Sequence, residues 1–235
     1  MKVVFDHGKD EAANIRTFYF RPEKPMHYTA GQFTELTIHH KNPDNRGIKR
    51  WFTLSSSPTE ELLSITTKHA AGKSSSFKKA LFKLEPGTEL NMADPMGDFV
   101  LPKLIQTPLV FVAGGIGITP FHSILSWLAD TNETRPIRLL YGVNNEDEII
   151  FQSTFDKAGT KPTIIVSQPS SAWGGERGQL SAELILGLEK PDEDSLVYVS
   201  GPEPMVEKLE KDLKKAGLKK HQFVGDFFPN YSPDY

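Results

Sequence analysis

The sequence predicts two halves of different kind, an antiparallel β-barrel or sandwich followed by an α/β domain built on a parallel sheet. Three observations lead there. Over roughly the first hundred residues, short β-like runs alternate with turn residues. From about Pro108 onward, apolar runs alternate with amphipathic helical patterns, the order of βα units. The change falls near residues 102–107, which divides the chain into 1–103 and 104–235, and 235 residues are enough for two domains of ordinary size.

In the first half the β-like runs are residues 14–20, 33–39, 49–54, 62–67 and 89–93. In the second of these Thr34, Leu36 and Ile38 face one way while Glu35 and Thr37 face the other, the period of a half-buried strand. One helix interrupts them. Ser74, Ser75 and Ser76 supply capping hydroxyls ahead of residues 77–84, in which Phe77, Leu81 and Leu84 recur at helical spacing until Pro86-Gly87 ends the run. In the second half, strands are expected at 109–113, 137–142, 163–167 and 196–200 and helices at 121–128 and 205–216. The last helix carries Val206, Leu209, Leu213 and Ala216 as an apolar stripe against Glu and Lys. The tail from Asp226 to Tyr235 holds two Phe, two Tyr and two Pro, unusual for a disordered end.

Composition narrows the chemistry. A formal net charge of -3 with 24% charged residues gives no pull towards nucleic acid or another polyanion. No run approaches the roughly 18 apolar residues of a membrane span, and the first seven residues are charged too soon for a secretory signal, so a cytoplasmic location is expected. The chain has no cysteine, which excludes disulfides, thiolate zinc sites and cysteine-held iron–sulfur clusters within it. Its seven histidines lack HExxH-type spacing, and no metal site is expected. Any electron chemistry therefore calls for an organic cofactor.

Three stretches carry candidate chemistry. Residues 109–113 run into Gly114-Gly115-Ile116-Gly117-Ile118-Thr119-Pro120 and then a helical pattern, a strand, glycine turn and helix start that together suit an anion. Proline stands where a GxGxxG fingerprint needs its last glycine, and a ligand-free glycine turn fits the same residues. Arg50-Trp51-Phe52-Thr53-Leu54-Ser55-Ser56 joins a cation, two aromatics and several hydroxyls on one strand, as a phosphate-bearing aromatic cofactor requires; an ordinary barrel strand with a snorkelling arginine would read alike. Gly72-Lys73-Ser74-Ser75-Ser76 precedes the first helix and is either a second phosphate cradle or a serine-rich cap. It is not a P-loop, because Thr67 occupies the position of that motif's first glycine.

In this order and spacing the motifs resemble the ferredoxin–NADP reductase family over nearly the whole chain. Arg50–Thr53 is similar to its Arg-x-Tyr-Ser flavin motif, Gly72–Ser75 to its Gly-x-x-Ser motif, and residues 94–99 to its Gly-Pro-x-Gly-x-Phe stretch. Gly114–Pro120 resembles its Gly-Gly-x-Gly-Ile-Thr-Pro loop, Tyr141-Gly142-Val143 with Glu146-Asp147-Glu148 its following strand, and Ser200–Met205 its Cys-Gly-Pro-x-x-Met motif. The resemblance implies an antiparallel flavin-binding β-barrel followed by a Rossmann-like parallel-sheet nicotinamide domain, with FAD favoured over FMN. It implies that Arg50 holds flavin phosphate, Phe52 stacks on the ring beside Trp51, Thr53 bonds near flavin N5, Lys68 reaches the ring's polar edge, and Gly72, Lys73, Ser74 and Ser75 wrap the pyrophosphate. It gives the nicotinamide nucleotide to Gly114, Gly115, Gly117, Thr119, Pro120, Gly201, Pro202 and Met205, with Thr53 and Ser200 at the point of hydride transfer.

Three departures shape the expectation. Phe52 lacks the usual tyrosine hydroxyl, and Ser200 replaces the usual cysteine. Ser167 is followed by Gln168 rather than by an arginine for a 2′-phosphate, which favours NADH over NADPH, although Arg177 in the next loop is a rival. Phe227, Phe228 and Tyr231 are candidates to cover the flavin, or to pack on the surface as an extension of the core. The expected activity passes hydride from NAD(P)H to the flavin and electrons to a separate redox protein or a small molecule. The alternatives are an electron-transfer subunit of a larger complex and a degenerate nucleotide-binding module.

Overall fold

Residues 1–69 and 74–228 are described by the computed structural model of the chain. The first sheet has six antiparallel strands: β1 (Lys2–Ala12), β2 (Ile15–Pro22), β3 (Phe33–Thr37), β4 (Lys49–Thr53), β5 (Leu63–Lys68) and β6 (Glu89–Met92). Their order is β4-β3-β6-β1-β2-β5, which leaves β4 and β5 as the two edges. The sheet curls until these edges meet at one end, where Ser55 N–H donates to Ser64 O at 2.8 Å, but the ladder does not close. Inside lie Phe5, Phe18, Phe20, Leu36, Phe52, Leu54, Ile65 and Phe77. The helix α1 (Ser76–Leu81) plugs the barrel with Phe77 and Leu81, and Ser75 caps it by accepting from Lys78 N–H at 3.2 Å.

The second sheet is wholly parallel, β7 (Leu109–Gly114), β8 (Ile137–Val143), β9 (Thr163–Val166), β10 (Glu176–Arg177), β11 (Leu196–Pro202) and β12 (Phe223–Phe228), in the order β10-β9-β8-β7-β11-β12. The chain enters at β7, builds outward to β10, then returns to add β11 and β12 on the other flank. That reversal makes a topological switch point between β7 and β11, the place where open α/β sheets bind ligands at their carboxyl edge. Four helices cover the sheet, α2 (Thr119–Thr131), α3 (Gln152–Lys157), α4 (Ala182–Glu189) and α5 (Glu203–Lys215). In α5, Val206, Leu209 and Leu213 are buried, the face expected from their spacing. No helix among the described residues is long and apolar enough to cross a membrane.

The domains are joined by packing and by polar bonds. Phe99, leaving the barrel, stands edge-on against Phe121 at 5.4 Å and Tyr198 at 5.1 Å. On α2, Ser123 Oγ donates to Ser56 O at 2.6 Å and His122 Nδ1 lies 2.7 Å from Ser55 O. A carbonyl only accepts, so Nδ1 carries the proton. Burial drives the His122 pKa down to about 4, with the Ser55 bond working the other way.

That depressed pKa has a sign for stability. The unfolded imidazole takes up its proton near pH 6.5, whereas the folded one resists until about pH 4. The interface is therefore at full strength above pH 6.5 and weakens as pH falls towards 4. His122→Asn retains a donor for Ser55 O and should lose most of this pH dependence. Urea unfolding at pH 7.5 and 4.5 should show wild-type stability falling by on the order of 2 kcal/mol more than that of the variant.

Candidate functional site at the domain seam

The glycine turn sits at the switch point. β7 ends in Gly114, one 3-10 turn spans Gly115–Ile118, and α2 begins at Thr119 with Pro120 in its first turn, where a missing N–H costs nothing. Register pairs Ala113 with Ser200, so the turn lies over the end of β11. The approach leaves no room for side chains. A Cβ on Gly117 would stand 2.2 Å from Ser200 O, and one on Gly114 would stand 2.4 Å from Met205 Sδ. Gly115 meets nothing within 4 Å but has φ +54, a left-handed conformation that favours glycine. Thr119 and Pro120 are buried, and Thr119 Oγ1 donates to Ile116 O at 3.1 Å, which fixes the turn.

Ser200 is buried and donates towards Asp226 Oδ2 at 3.4 Å. Asp226 lies beside it in β12, and burial pushes its carboxyl up to about 6 while the serine bond pulls it down. Sequence reasoning misses this acid, since in the tail it shows only as one Asp before two Phe. Parallel pairing also sets Gly201 beside Phe227, which is 43% exposed at the sheet's end. Pro202 opens α5, and Met205 packs against Gly114 and Gly201. Tyr231 lies outside the described residues.

On the barrel side, β4 splits as its alternation predicts. Arg50 and Phe52 point inward with Leu54, while Trp51 and Thr53 share the other face with their cross-strand partners Glu35 and Phe33. Arg50 lies over the Phe77 ring at 5.2 Å, donates to Arg46 O at 2.7 Å and to Lys49 O at 2.6 Å, and reaches Asp44 Oδ1 at 3.2 Å. Phe52, 9% exposed, sits 5.9 Å from Phe77 in the barrel core, so little of its ring is open for stacking. The open ring on this strand is Trp51, 54% exposed and 5.8 Å from Phe33.

Two buried hydroxyls at the end of this strand stand out. Thr53 Oγ1 and Ser55 Oγ have no hydrogen-bond partner among the described residues. Leaving such groups dry and unpaired costs roughly 1–3 kcal/mol each. Both lie where the barrel edge meets α2, the helix that leaves the glycine turn.

Lys68 ends β5 and pairs across the seam with Glu148, which the Tyr141 hydroxyl anchors by donating to Glu148 O at 3.2 Å. Gly72 and Lys73 lie outside the described residues. Ser74 and Ser75 lead into α1, beside the Asp44 carboxylate that accepts from Ser76 N–H at 3.0 Å. At the far edge, Ser167 Oγ bonds Asn144 Oδ1 at 3.2 Å and Gln168 N–H donates to Asn144 O at 2.8 Å. Arg177, opposite Val166 in β10, is turned to the carbonyl of Trp173.

Comparison with known proteins agrees with this architecture. Residues 111–211 match the oxidoreductase NAD-binding domain family. The chain is 28% identical to a flavohemoprotein of Xylella fastidiosa over 227 residues, covering 93% of this chain and 56% of that protein. It is also 28% identical to a glycine betaine monooxygenase reductase subunit of Chromohalobacter salexigens over 231 residues, covering 93% of this chain and 61% of the other. The chain thus spans a little over half the length of these curated relatives. The fold matches the flavohem-like FAD/NAD-binding domain of a nitric oxide dioxygenase from Vibrio cholerae with a TM-score of 0.81 at 21% identity, covering 97% of this chain and 98% of that one. Residues 111–211 thus match an oxidoreductase NAD-binding domain, and the whole chain shares the fold of an FAD/NAD-binding domain.

The close approach at the glycine turn can be tested directly. Gly117→Ala should push the turn off β11, lower stability by about 1–3 kcal/mol in urea unfolding, and weaken dinucleotide binding in the same protein.

Proposed function

We propose that this chain is a flavin-dependent reductase that accepts hydride from a reduced nicotinamide, NADH in preference to NADPH, and passes electrons from bound FAD to a separate acceptor. The observation that carries this is the pair of dry hydroxyls, Thr53 Oγ1 and Ser55 Oγ, at the seam between the barrel edge and the helix leaving the nucleotide turn. They fit a flat cofactor whose ring offers nitrogen and carbonyl acceptors, and a bound flavin ring would satisfy what the described residues leave unsatisfied. The chemistry a flavin supplies is hydride acceptance from nicotinamide and release of electrons singly or in pairs.

The protein's own part is binding, orientation and exclusion of water. Arg50 and the residues leading into α1 face the phosphate end, and Thr53 faces the ring. Phe52, with only an edge exposed, backs the site from the barrel core. Gly114, Gly115 and Gly117 let a dinucleotide approach the switch point, while Ser200, Gly201 and Pro202 form the floor on which its reactive end rests. Asp226 holds a proton next to Ser200 below about pH 6 and releases it above, so the charge beside the hydride-transfer point changes within an accessible range. Lys68 and Glu148 tie the two halves together, so both cofactors are held at a fixed mutual distance.

The preference for NADH rests on Ser167, Gln168 and Arg177. The first two are neutral and bonded to Asn144, and the guanidinium of Arg177 is committed to a backbone carbonyl. A 2′-phosphate would find no bidentate partner in these three residues. We place the acceptor outside the chain, as a redox protein or a small molecule, and take residues 1–103 and 104–235 as the FAD-binding and nicotinamide-binding units of a cytoplasmic enzyme. The chain contains no cysteine to hold an iron–sulfur relay.

Anaerobic mixing of the FAD-loaded protein with each nucleotide tests the proposal. Flavin bleaching by NADH should be at least about tenfold faster than by NADPH at equal concentration, the worth of one charge-assisted contact. A protein that ignores added FAD, or keeps its flavin oxidised with both nucleotides, contradicts it.

A further inference from the structure

The outer face of the barrel edge carries an apolar patch that the nucleotide and flavin sites leave open. Met96 and Phe33 exchange two backbone hydrogen bonds of 2.9 Å, and Phe33 in turn pairs with Thr53 across β3 and β4. Residues directly opposite in antiparallel strands project to one face. Met96, Phe33 and Thr53 therefore form a row across the sheet, with Trp51 and its partner Glu35 on the same face. Trp51 is 54% exposed and Met96 is 40% exposed, and the half-buried Phe33 links them, its ring 5.8 Å from that of Trp51.

The patch is held in place. A Cβ on Gly97 would stand 2.7 Å from the Phe33 ring, so it is the bare glycine that lets this ring lie against the backbone, and Trp51 Nε1 donates to Glu35 Oε2 at 3.3 Å. Aromatic side chains ordered in advance lose little freedom on binding, which suits a docking surface. Its rim is acidic. Asp94 and Asp98 flank Met96 in the chain, both are exposed, and neither carboxylate has a hydrogen bond or ion pair among the described residues. Lys49, on the same face, is neutralised by Glu35 at 2.8 Å, and beyond it Lys2 pairs with Glu89 at 3.2 Å, which leaves the two aspartates uncompensated.

We propose that this face is the docking surface for the electron acceptor, and that the acceptor is a redox protein with a basic rim around an apolar centre. The proposal rests on the flavin reading above, because continuity with Thr53 assigns the occupant: Met96 stands two strand spacings, about 10 Å, from Thr53. A partner seated on Trp51 and Met96 brings its redox centre beside the proposed flavin edge. The hydride of one NADH carries two electrons, so each turnover reduces two one-electron acceptors in succession and releases one proton. The aspartates draw in a basic partner and orient it, while Trp51, Phe33 and Met96 supply the buried contact.

The test is NADH-driven reduction by the FAD-loaded protein of cytochrome c, a basic one-electron haem protein, and of ferricyanide, an acceptor too small to need docking. Rates are compared from about 10 to about 300 mM salt. Met96→Ala should lower kcat/KM for cytochrome c about 3- to 10-fold at every salt concentration. Asp94→Asn with Asp98→Asn should lower it about 3- to 10-fold at low salt and flatten its salt dependence. Both should keep wild-type FAD content and ferricyanide rates at or above wild type. Glu207→Gln with Asp194→Asn, which removes two exposed charges from α5 and the turn before β11, should match wild type with cytochrome c. Wild-type cytochrome c rates in both patch variants would overturn the proposal, as would equal losses with ferricyanide, the mark of a flavin contact or a folding defect. So would cytochrome c left oxidised by protein that reduces ferricyanide. A wild-type dimer that Met96→Ala dissociates in sedimentation would also overturn it, by giving the face to a second copy. Failure to reduce ferricyanide as well would overturn the flavin reading and this proposal together.

Discussion

The carbonyls of Ser55 and Ser56 are where the barrel and the parallel sheet are stitched together, by His122 and Ser123 of α2. The same helix starts on the glycine turn at the switch point, so one rigid element fixes both the seam and the nucleotide loop. With α2 seated, Thr53 Oγ1 and Ser55 Oγ are buried without partners among the described residues, and Ser200 with Asp226 lies at the end of the neighbouring strand. Phe99 reinforces the joint from the other side by packing into Phe121 and Tyr198, so this residue of the first half belongs to the apolar cluster of the parallel sheet.

The site balances two kinds of strain. Unpaired hydroxyls and an acid raised to about 6 are polar groups that burial leaves short of partners. Lys78, its pKa lowered by burial and by the neighbouring Arg46, Arg50 and Lys68, is the electrostatic counterpart. A cofactor with an acceptor-rich ring and an anionic tail relieves both, which is why ligand binding should stabilise this protein as well as equip it.

Much of this is legible in the sequence because it depends on local grammar. An apolar strand running into Gly114 marks the glycine turn, and Pro120 marks the helix start. The serine cap before Phe77 falls within the run that spacing indicates, at Ser75. The hidden features depend on tertiary environment. β1 escapes recognition, because only Val3 and Phe5 are buried in it and Asp6, His7, Lys9 and Asp10 interrupt the apolar alternation that marks a strand. The edge strand β10 is two residues long and has no pattern to read. The resemblance puts Phe52 beneath the flavin, but its seat against Phe77 is decided by how far α1 enters the barrel, which no spacing in β4 reveals. Asp226 and Lys78 look like ordinary surface charges until parallel pairing and helix docking leave them half-buried.

The central claim is that Thr53 is left dry in order to meet the flavin ring, and nitrogen NMR of protein reconstituted with N5-labelled FAD tests it most directly. The wild-type protein should show an N5 signal shifted by a hydrogen bond, and Thr53→Val should move it to the unbonded position while FAD stays bound. An N5 signal identical in the two proteins would show that the hydroxyl serves something else, and the flavin would then have to lie away from the seam.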